Sequence, residues 1–121
     1  MRILILMISM VLGAVSPAVQ AHAVITHSSL DTGPVTPDQA TEVHLFFNSD
    51  IEPLLSIVYL VSAGDRKQVL ELRHGERPGE LIVALPPLAP GEYALQYKVF
   101  AADGHITEDV LKFTVPEGGQ R

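Results

Sequence analysis

Short runs of alternating apolar and polar residues, separated by glycine and proline, are the feature that most constrains how this chain can fold. In the clearest run, residues 92–100, apolar side chains recur at every second position, which is the period of a β-strand with one buried face. No amphipathic helical pattern of convincing length lies between the runs after residue 21. The chain is therefore predicted to be all-β.

Seven runs of this kind define the predicted strands. They are residues 24–29, 41–48, 55–62, 68–72, 80–85, 92–100 and 110–115. Short strands spaced by turn residues favour an antiparallel Greek-key β-sandwich or barrel, immunoglobulin-like or cupredoxin-like. Tyr93 follows Pro90 at a strand start, which fits either a tyrosine corner, with the phenol bonded to backbone just upstream, or an ordinary core aromatic.

The first 21 residues have the pattern of a secretory signal peptide. Arg2 supplies the positive start, residues 3–15 the apolar stretch, and Val19-Gln20-Ala21 a small-residue cleavage site. We expect this segment to be removed on export, not to span a membrane. The predicted division is a signal peptide at 1–21, a β domain at 22–115 and a flexible tail at 116–121.

The position of cleavage decides which residue begins the exported protein. Cleavage after Ala21 leaves His22 first, and this is the start we predict. The tripeptide Ala21-His22-Ala23 also satisfies the small-residue rule. Cleavage after Ala23 is therefore the competing prediction, and it would remove His22.

Charge and cysteine content exclude several classes of function. The chain has 8 basic residues and 14 acidic residues, and loss of Arg2 leaves 7 against 14, a formal charge of −7. Nucleic acid is excluded as a partner because phosphate binding needs a basic surface. The chain has no cysteine, so disulfides, thiolate metal sites and cysteine nucleophiles are excluded as well. We expect a monomer that folds by packing alone.

Three residues form a candidate metal site. A chain that starts at His22 offers its free amine and its imidazole Nδ1 in one chelate ring. Asp103 and His105 lie two positions apart in a predicted turn, and a bend at Gly104 would point both side chains to one side. Nitrogen and oxygen donors in a planar set bind Cu(II) most tightly among the divalent ions. The pattern therefore predicts one Cu(II) held by His22, Asp103 and His105.

Several segments together resemble a known family. They are residues 22–25, 43–48, 85–93, 99–105 and 113–115, including a Leu-x-Pro-Gly-x-Tyr motif at 88–93 and Ala-Asp-Gly-His at 102–105. The chain is similar in these segments to the CopC/PcoC family of periplasmic copper-binding proteins. The resemblance implies a Greek-key β-fold that binds one Cu(II) through the amine and imidazole of His22, the Asp103 carboxylate and the His105 imidazole.

The resemblance also implies a partner, and this chain differs from the family pattern after Asn48. An inner-membrane copper transporter of the CopD type is the partner that it implies. The acidic residue that the family carries after the motif ending at Phe47-Asn48 is replaced here by Ser49. Asp50 or Glu52 is the candidate for the hydrogen bond that such a residue gives to a metal ligand.

The function predicted is a periplasmic copper carrier or sequestering protein, without turnover, in copper homeostasis or resistance. One alternative is a copper monooxygenase with an N-terminal histidine, but Asp103 would fill a position that oxygen needs, and the chain has no tryptophan. A second alternative is a metal-free immunoglobulin-like interaction module, which accounts for the strands equally well. His27, His44 and His74 are predicted to be solvated or structural.

Overall fold

A computed structural model describes residues 23–118 of the chain. These residues form eight strands: β1 (Ile25–Ser28), β2 (Thr41–Phe47), β3 (Ile57–Ser62), β4 (Arg66–Val69), β5 (Leu72–His74), β6 (Glu80–Leu85), β7 (Gly91–Phe100) and β8 (Ile106–Val115). Two short 3-10 turns, Ser29–Asp31 and Pro53–Leu55, follow β1 and precede β3. The predicted signal peptide at 1–21, His22 and the end of the predicted tail lie outside the described residues.

The strands form two antiparallel sheets. One sheet has the order β1-β2-β6-β5 and the other the order β4-β3-β7-β8. The chain passes from one sheet to the other after β2, after β4 and after β6. The predicted all-β antiparallel sandwich is therefore confirmed. Within residues 23–118 no helix is long and apolar enough to cross a bilayer.

The core lies between the two sheets and is aliphatic at its centre. Its fully buried side chains come from β2, β3, β6, β7 and β8: Val43, Leu45, Val58, Leu81, Val83, Leu95, Val99 and Val115. Burial of one such side chain is worth about 1.5–3 kcal/mol. Because strand residues alternate between faces, these positions fix which side chains of each strand face outward.

The prediction of seven strands was wrong in one segment. The predicted strand 68–72 is the end of β4 and the start of β5, which belong to different sheets. The chain crosses between the sheets at Leu70, which is buried and whose N–H donates to Val58 O at 2.9 Å. All four residues of β4 are exposed, so no apolar alternation marks where one strand ends and the next begins.

The last strand begins earlier than predicted. β8 starts at Ile106 instead of residue 110 and pairs with β7 along its full length. The first half of β8 has polar residues on its inward side, Thr107 and Asp109, because it lies at the edge of the sheet beyond the core. That half therefore lacks the alternation that predicts a strand.

The packing of Tyr93 decides between its two interpretations. Its hydroxyl donates to Ala89 O at 2.7 Å, and its ring stacks on Phe113 with centroids 5.7 Å apart. The tyrosine-corner interpretation is confirmed. This bond fixes the start of β7, and β7 leads directly to the candidate metal site.

Candidate metal site

The Asp103–His105 motif lies in the hairpin turn that joins β7 to β8. Ala101 N–H donates to His105 O at 2.8 Å and Gly104 N–H donates to Ala101 O at 2.9 Å, which closes the turn. Gly104 has φ +92°, a conformation that residues with a Cβ rarely adopt. The predicted bend at Gly104 is therefore present.

The bend brings the two predicted donors together. His105 N–H donates to Asp103 Oδ1 at 3.0 Å, and the same oxygen is 3.2 Å from His105 Nδ1. Both side chains are exposed. The backbone N–H of His105 and, next, its imidazole lower the pKa of the Asp103 carboxyl. The turn thus holds a carboxylate and an imidazole side by side at the surface.

This spacing fits two neighbouring positions around one metal ion. Donor atoms bound at about 2.0–2.1 Å and at right angles lie about 2.9 Å apart, close to the 3.2 Å between Asp103 Oδ1 and His105 Nδ1. One oxygen and one nitrogen donor suit Cu(II), Ni(II) or Zn(II). Among residues 23–118, however, no group of three or more His, Asp or Glu side chains is placed to hold a metal ion. The turn supplies two donors, and the third predicted donor, His22, lies outside that range.

The start of the described chain is held beside this turn. Ala23 is 1% exposed, and its N–H donates to Thr107 Oγ1 at 3.0 Å. Thr107 lies in β8, two residues beyond His105. Val24 and Asn48 form a second attachment: Val24 N–H donates to Asn48 Oδ1 at 2.9 Å, and Asn48 N–H donates to Val24 O at 3.0 Å. We call these contacts the N-terminal clamp.

The clamp residues were not identified as site residues from the sequence. Asn48 was noted only as part of a strand motif, and Thr107 was not singled out. Strand parity could not have found Thr107, because the first half of β8 lacks the alternation that predicts a strand. Nothing in the sequence indicates that its partner is the amide of Ala23, 84 positions earlier.

A second backbone segment supports the turn from its other side. Glu52 N–H donates to Phe100 O at 2.9 Å and Ala102 N–H donates to Asp50 O at 2.8 Å. The Asp50 side chain points elsewhere, since its Oδ1 accepts from Gly79 N–H at 2.5 Å. Within the described chain, no hydrogen bond joins the Asp50 or Glu52 side chain to His105. The Asp103 carboxylate lies beside the His105 ring, with Oδ1 3.2 Å from Nδ1.

The other described histidines make contacts away from the turn. His27 stacks on Phe46 with centroids 4.1 Å apart, and a register shift in β1 leaves both Thr26 and His27 exposed. His44 Nδ1 lies 2.5 Å from Glu80 Oε2. His74 is exposed in β5.

Glu80, at the start of β6, is a buried carboxylate of the β1-β2-β6-β5 sheet. It is 8% exposed, and its Oε1 accepts from the N–H groups of Glu76 and Arg77 at 2.9 and 3.1 Å. The hydrogen bond to His44, assisted by these N–H groups, lowers the pKa of the Glu80 carboxyl. His44 and Glu80 thus join β2 to β6 and to the loop before β6.

The fold and the turn together define an antiparallel β-sandwich with an Asp-x-His hairpin at one end, and the comparisons place it more narrowly. A family model described as the CopC domain matches residues 25–116. The chain belongs to the CopC family. No curated protein matches it.

Solved structures agree with this placement. The crystal structure of CopC from Methylosinus trichosporium OB3b is similar, with 25% identity, a TM-score of 0.69, and coverage of 83% of this chain and 99% of that one. PcoC, a methionine-rich copper resistance protein from Escherichia coli, has the same fold at 19% identity and a TM-score of 0.56, covering 78% and 99% of the two chains. Its selenomethionine form gives 19% identity, a TM-score of 0.54, and coverage of 76% and 98%.

Proposed function

We propose that this chain is a copper-binding protein that holds one Cu(II) at the end of the sandwich formed by the Asp103–His105 turn. The proposed donors are the free amine and imidazole of His22, the carboxylate of Asp103 and the imidazole of His105. Membership of the CopC family supports copper as the metal. The mixed nitrogen and oxygen donor set supports the cupric state.

One observation carries the proposal. The Ala23 amide is bonded to Thr107, two residues beyond His105, and residue 22 is joined to that amide by a single peptide bond. The proposed position of the amine of a chain that begins at His22 is therefore beside the Asp103–His105 turn. A chain that begins at Val24 would lack both the amine and the clamp on Ala23.

The proposed role is periplasmic carriage or sequestration of copper, in homeostasis or resistance, without turnover. Four donors from the chain itself fill a planar set and leave no equatorial position for oxygen. The proposed export through a signal peptide at 1–21 places the protein in the periplasm. An inner-membrane copper transporter of the CopD type is the proposed receiver or donor of the ion.

The test begins with the intact mass and N-terminal sequence of the exported protein, expected to start at His22. Cu(II) titration followed by electron paramagnetic resonance should then give one bound ion per chain with mixed nitrogen and oxygen ligation. His22→Ala, Asp103→Ala and His105→Ala should each weaken binding and change the hyperfine coupling. His74→Ala, which removes an exposed histidine of the other sheet, is the matched control and should bind as wild type.

Two outcomes would overturn the proposal. One is an exported chain that starts after Ala23 and still binds Cu(II) with the wild-type spectrum. The other is equal weakening by His74→Ala and His105→Ala, which indicates adventitious binding to surface histidines. Copper-loaded protein given reductant and peroxide should oxidise no polysaccharide, and measured turnover would favour the monooxygenase alternative instead.

A further inference from the structure

A groove runs between the last strand of one sheet and the first strand of the other. β1 and β8 are both edge strands, and residues 23–28 and 107–111 line the groove from its two sides. Its volume is about 520 Å³, within the range of about 300–1,000 Å³ that is usual for ligand sites. The groove is therefore large enough to receive side chains of a bound partner.

The groove contains a polar group that is nearly buried and has no partner. Tyr97 points inward from β7, is 5% exposed and lines the groove. Its hydroxyl forms no hydrogen bond with any of residues 23–118, whereas every fully buried side-chain polar atom in this range has a partner. The Tyr97 hydroxyl therefore opens on the groove and is available to a ligand there.

The charge that lines the groove is acidic. Asp31, Glu108 and Asp109 line it, and no lysine or arginine does. Asp31 bonds within its own turn, and Glu108 lies 3.6 Å from Lys98. Asp109 is exposed and lies opposite Tyr97 in the β7–β8 ladder, and in the described chain its carboxylate is bonded only to the next backbone N–H. Asp109 is therefore the carboxylate that a cationic ligand can reach.

β8 also offers a free strand edge beside these two side chains. It is ten residues long and pairs with β7 along its whole length, whereas the other edge strands have three or four residues. Within the part of the chain that the structure describes, no strand pairs with the other side of β8. The unpaired N–H and C=O groups of such an edge are a template for a further strand.

Asp109 restricts which strand can pair with this edge. An inward-pointing charge on an edge strand deters pairing with an ordinary apolar strand, because the carboxylate would meet an apolar side chain. A strand with lysine or arginine opposite Asp109 brings the opposite charge instead, and such cross-strand pairs are stabilising. Burial and, second, the charge of Asp109 raise the pKa of Tyr97, so the phenol stays protonated and its oxygen can accept from the cation.

We propose that the groove binds an extended basic peptide, which adds a strand to the free edge of β8 and places a lysine or arginine side chain against Asp109 and Tyr97. Main-chain hydrogen bonds give affinity in this mode of recognition, and pockets for alternate side chains give specificity. The Ala23–Thr107 bond occupies the end of the groove nearest the turn, so the peptide pairs with residues 108–113. Copper is not part of this proposal, which is tested with metal-free protein.

The test is fluorescence anisotropy of the peptide fluorescein-Val-Thr-Val-Thr-Lys-Thr-amide with exported, metal-free protein. In antiparallel pairing its lysine lies opposite Asp109 and its second valine opposite Leu111. We expect one peptide to bind per chain. The same peptide with glutamate in place of lysine should bind about tenfold more weakly or worse. Methylation of alternate peptide nitrogens should abolish binding, because it removes the main-chain donors.

Two variants of the protein test the two side chains, each with a matched control. Asp109→Asn should lose about tenfold in peptide affinity, whereas Asp65→Asn, the same change of charge in the exposed turn between β3 and β4, should bind as wild type. Tyr97→Phe should lose affinity several-fold, whereas Tyr59→Phe, which removes a hydroxyl from the outer face of the same sheet, should not. Circular dichroism should show every variant folded.

Amide hydrogen exchange locates the peptide, which should slow exchange in β8. Protection confined to another edge strand would overturn the proposal, as would equal binding of the lysine and glutamate peptides or equal losses in the two aspartate variants. Sedimentation equilibrium of the protein alone tests the other occupant. Self-association that the peptide reverses would show instead that a second copy of the chain occupies this edge.

Discussion

At the scale of single residues, Thr107 holds Ala23, the first described residue, against β8. Its half-buried hydroxyl accepts from the N–H of Ala23, which is 1% exposed, at 3.0 Å. Thr107→Val keeps the shape of the side chain but leaves that N–H unpaired, at a cost of about 1–3 kcal/mol. We expect about a tenfold loss of Cu(II) affinity, measured by competition titration, with a change in the electron paramagnetic resonance spectrum.

The conservative variant separates positioning from stability. Thr107→Ser retains the hydroxyl, so affinity and spectrum should stay near those of wild type even if the missing methyl group lowers the melting temperature. If Thr107→Val bound Cu(II) with unchanged affinity and spectrum, the clamp on Ala23 would have no part in holding the metal.

Glu80 gives the fold a dependence on acid. Because its pKa is lowered in the folded state from the ordinary value of 4.5, its ionisation stabilises the native state above that pH, and the stabilisation is lost as pH falls through the lowered value. Glu80→Gln should therefore melt below wild type at neutral pH, and the gap should close well below pH 4.5. Thermal unfolding across this range tests it, with exposed Glu52→Gln as the control that should show little gap at any pH. A gap for Glu80→Gln that stays constant in acid would contradict this role.

At the scale of elements, the β7–β8 turn depends on the backbone of Gly104. An added Cβ there would meet no atom within 4 Å, so only its φ of +92° resists substitution. Gly64, in the turn between β3 and β4, has φ +77° and equally open surroundings. Gly104→Ala and Gly64→Ala should each destabilise the fold by about 1 kcal/mol. Only Gly104→Ala should also weaken Cu(II) binding, because relaxation of its turn separates Asp103 from His105.

The comparison of the two glycine variants separates the effect of turn geometry on Cu(II) affinity from the effect of general destabilisation. Denaturant unfolding gives the stability of each variant, and competition titration gives its affinity. Equal loss of Cu(II) affinity in both variants would mean that general destabilisation, not the geometry of the turn, weakens the site.

At the scale of the whole molecule, the sequence predicts the sandwich well because the core strands alternate clearly. The prediction of strands failed between β4 and β5, because the chain crosses between the sheets at Leu70 without a polar turn that would mark the boundary. The Asp103–His105 pair was predictable because Asp-Gly is a strong turn signal, and Gly104 readily adopts the positive φ that the bend needs. The N-terminal clamp was not, because the contact of Ala23 with Thr107 depends on how two edge strands of different sheets meet.

Metal loading should stabilise the whole fold, because the proposed donors come from both ends of the domain and are brought together only in the native state. Binding to the folded state alone adds about 2.7 kcal/mol when free Cu(II) is at 100 times its dissociation constant. For a domain of this size, that corresponds to a rise in melting temperature of about 10–20 °C. Calorimetry of the exported protein should show this rise, and His22→Ala should reduce it strongly. A chain that gains nothing from Cu(II), or gains as much without His22, would show that the two ends of the sequence do not share one ion.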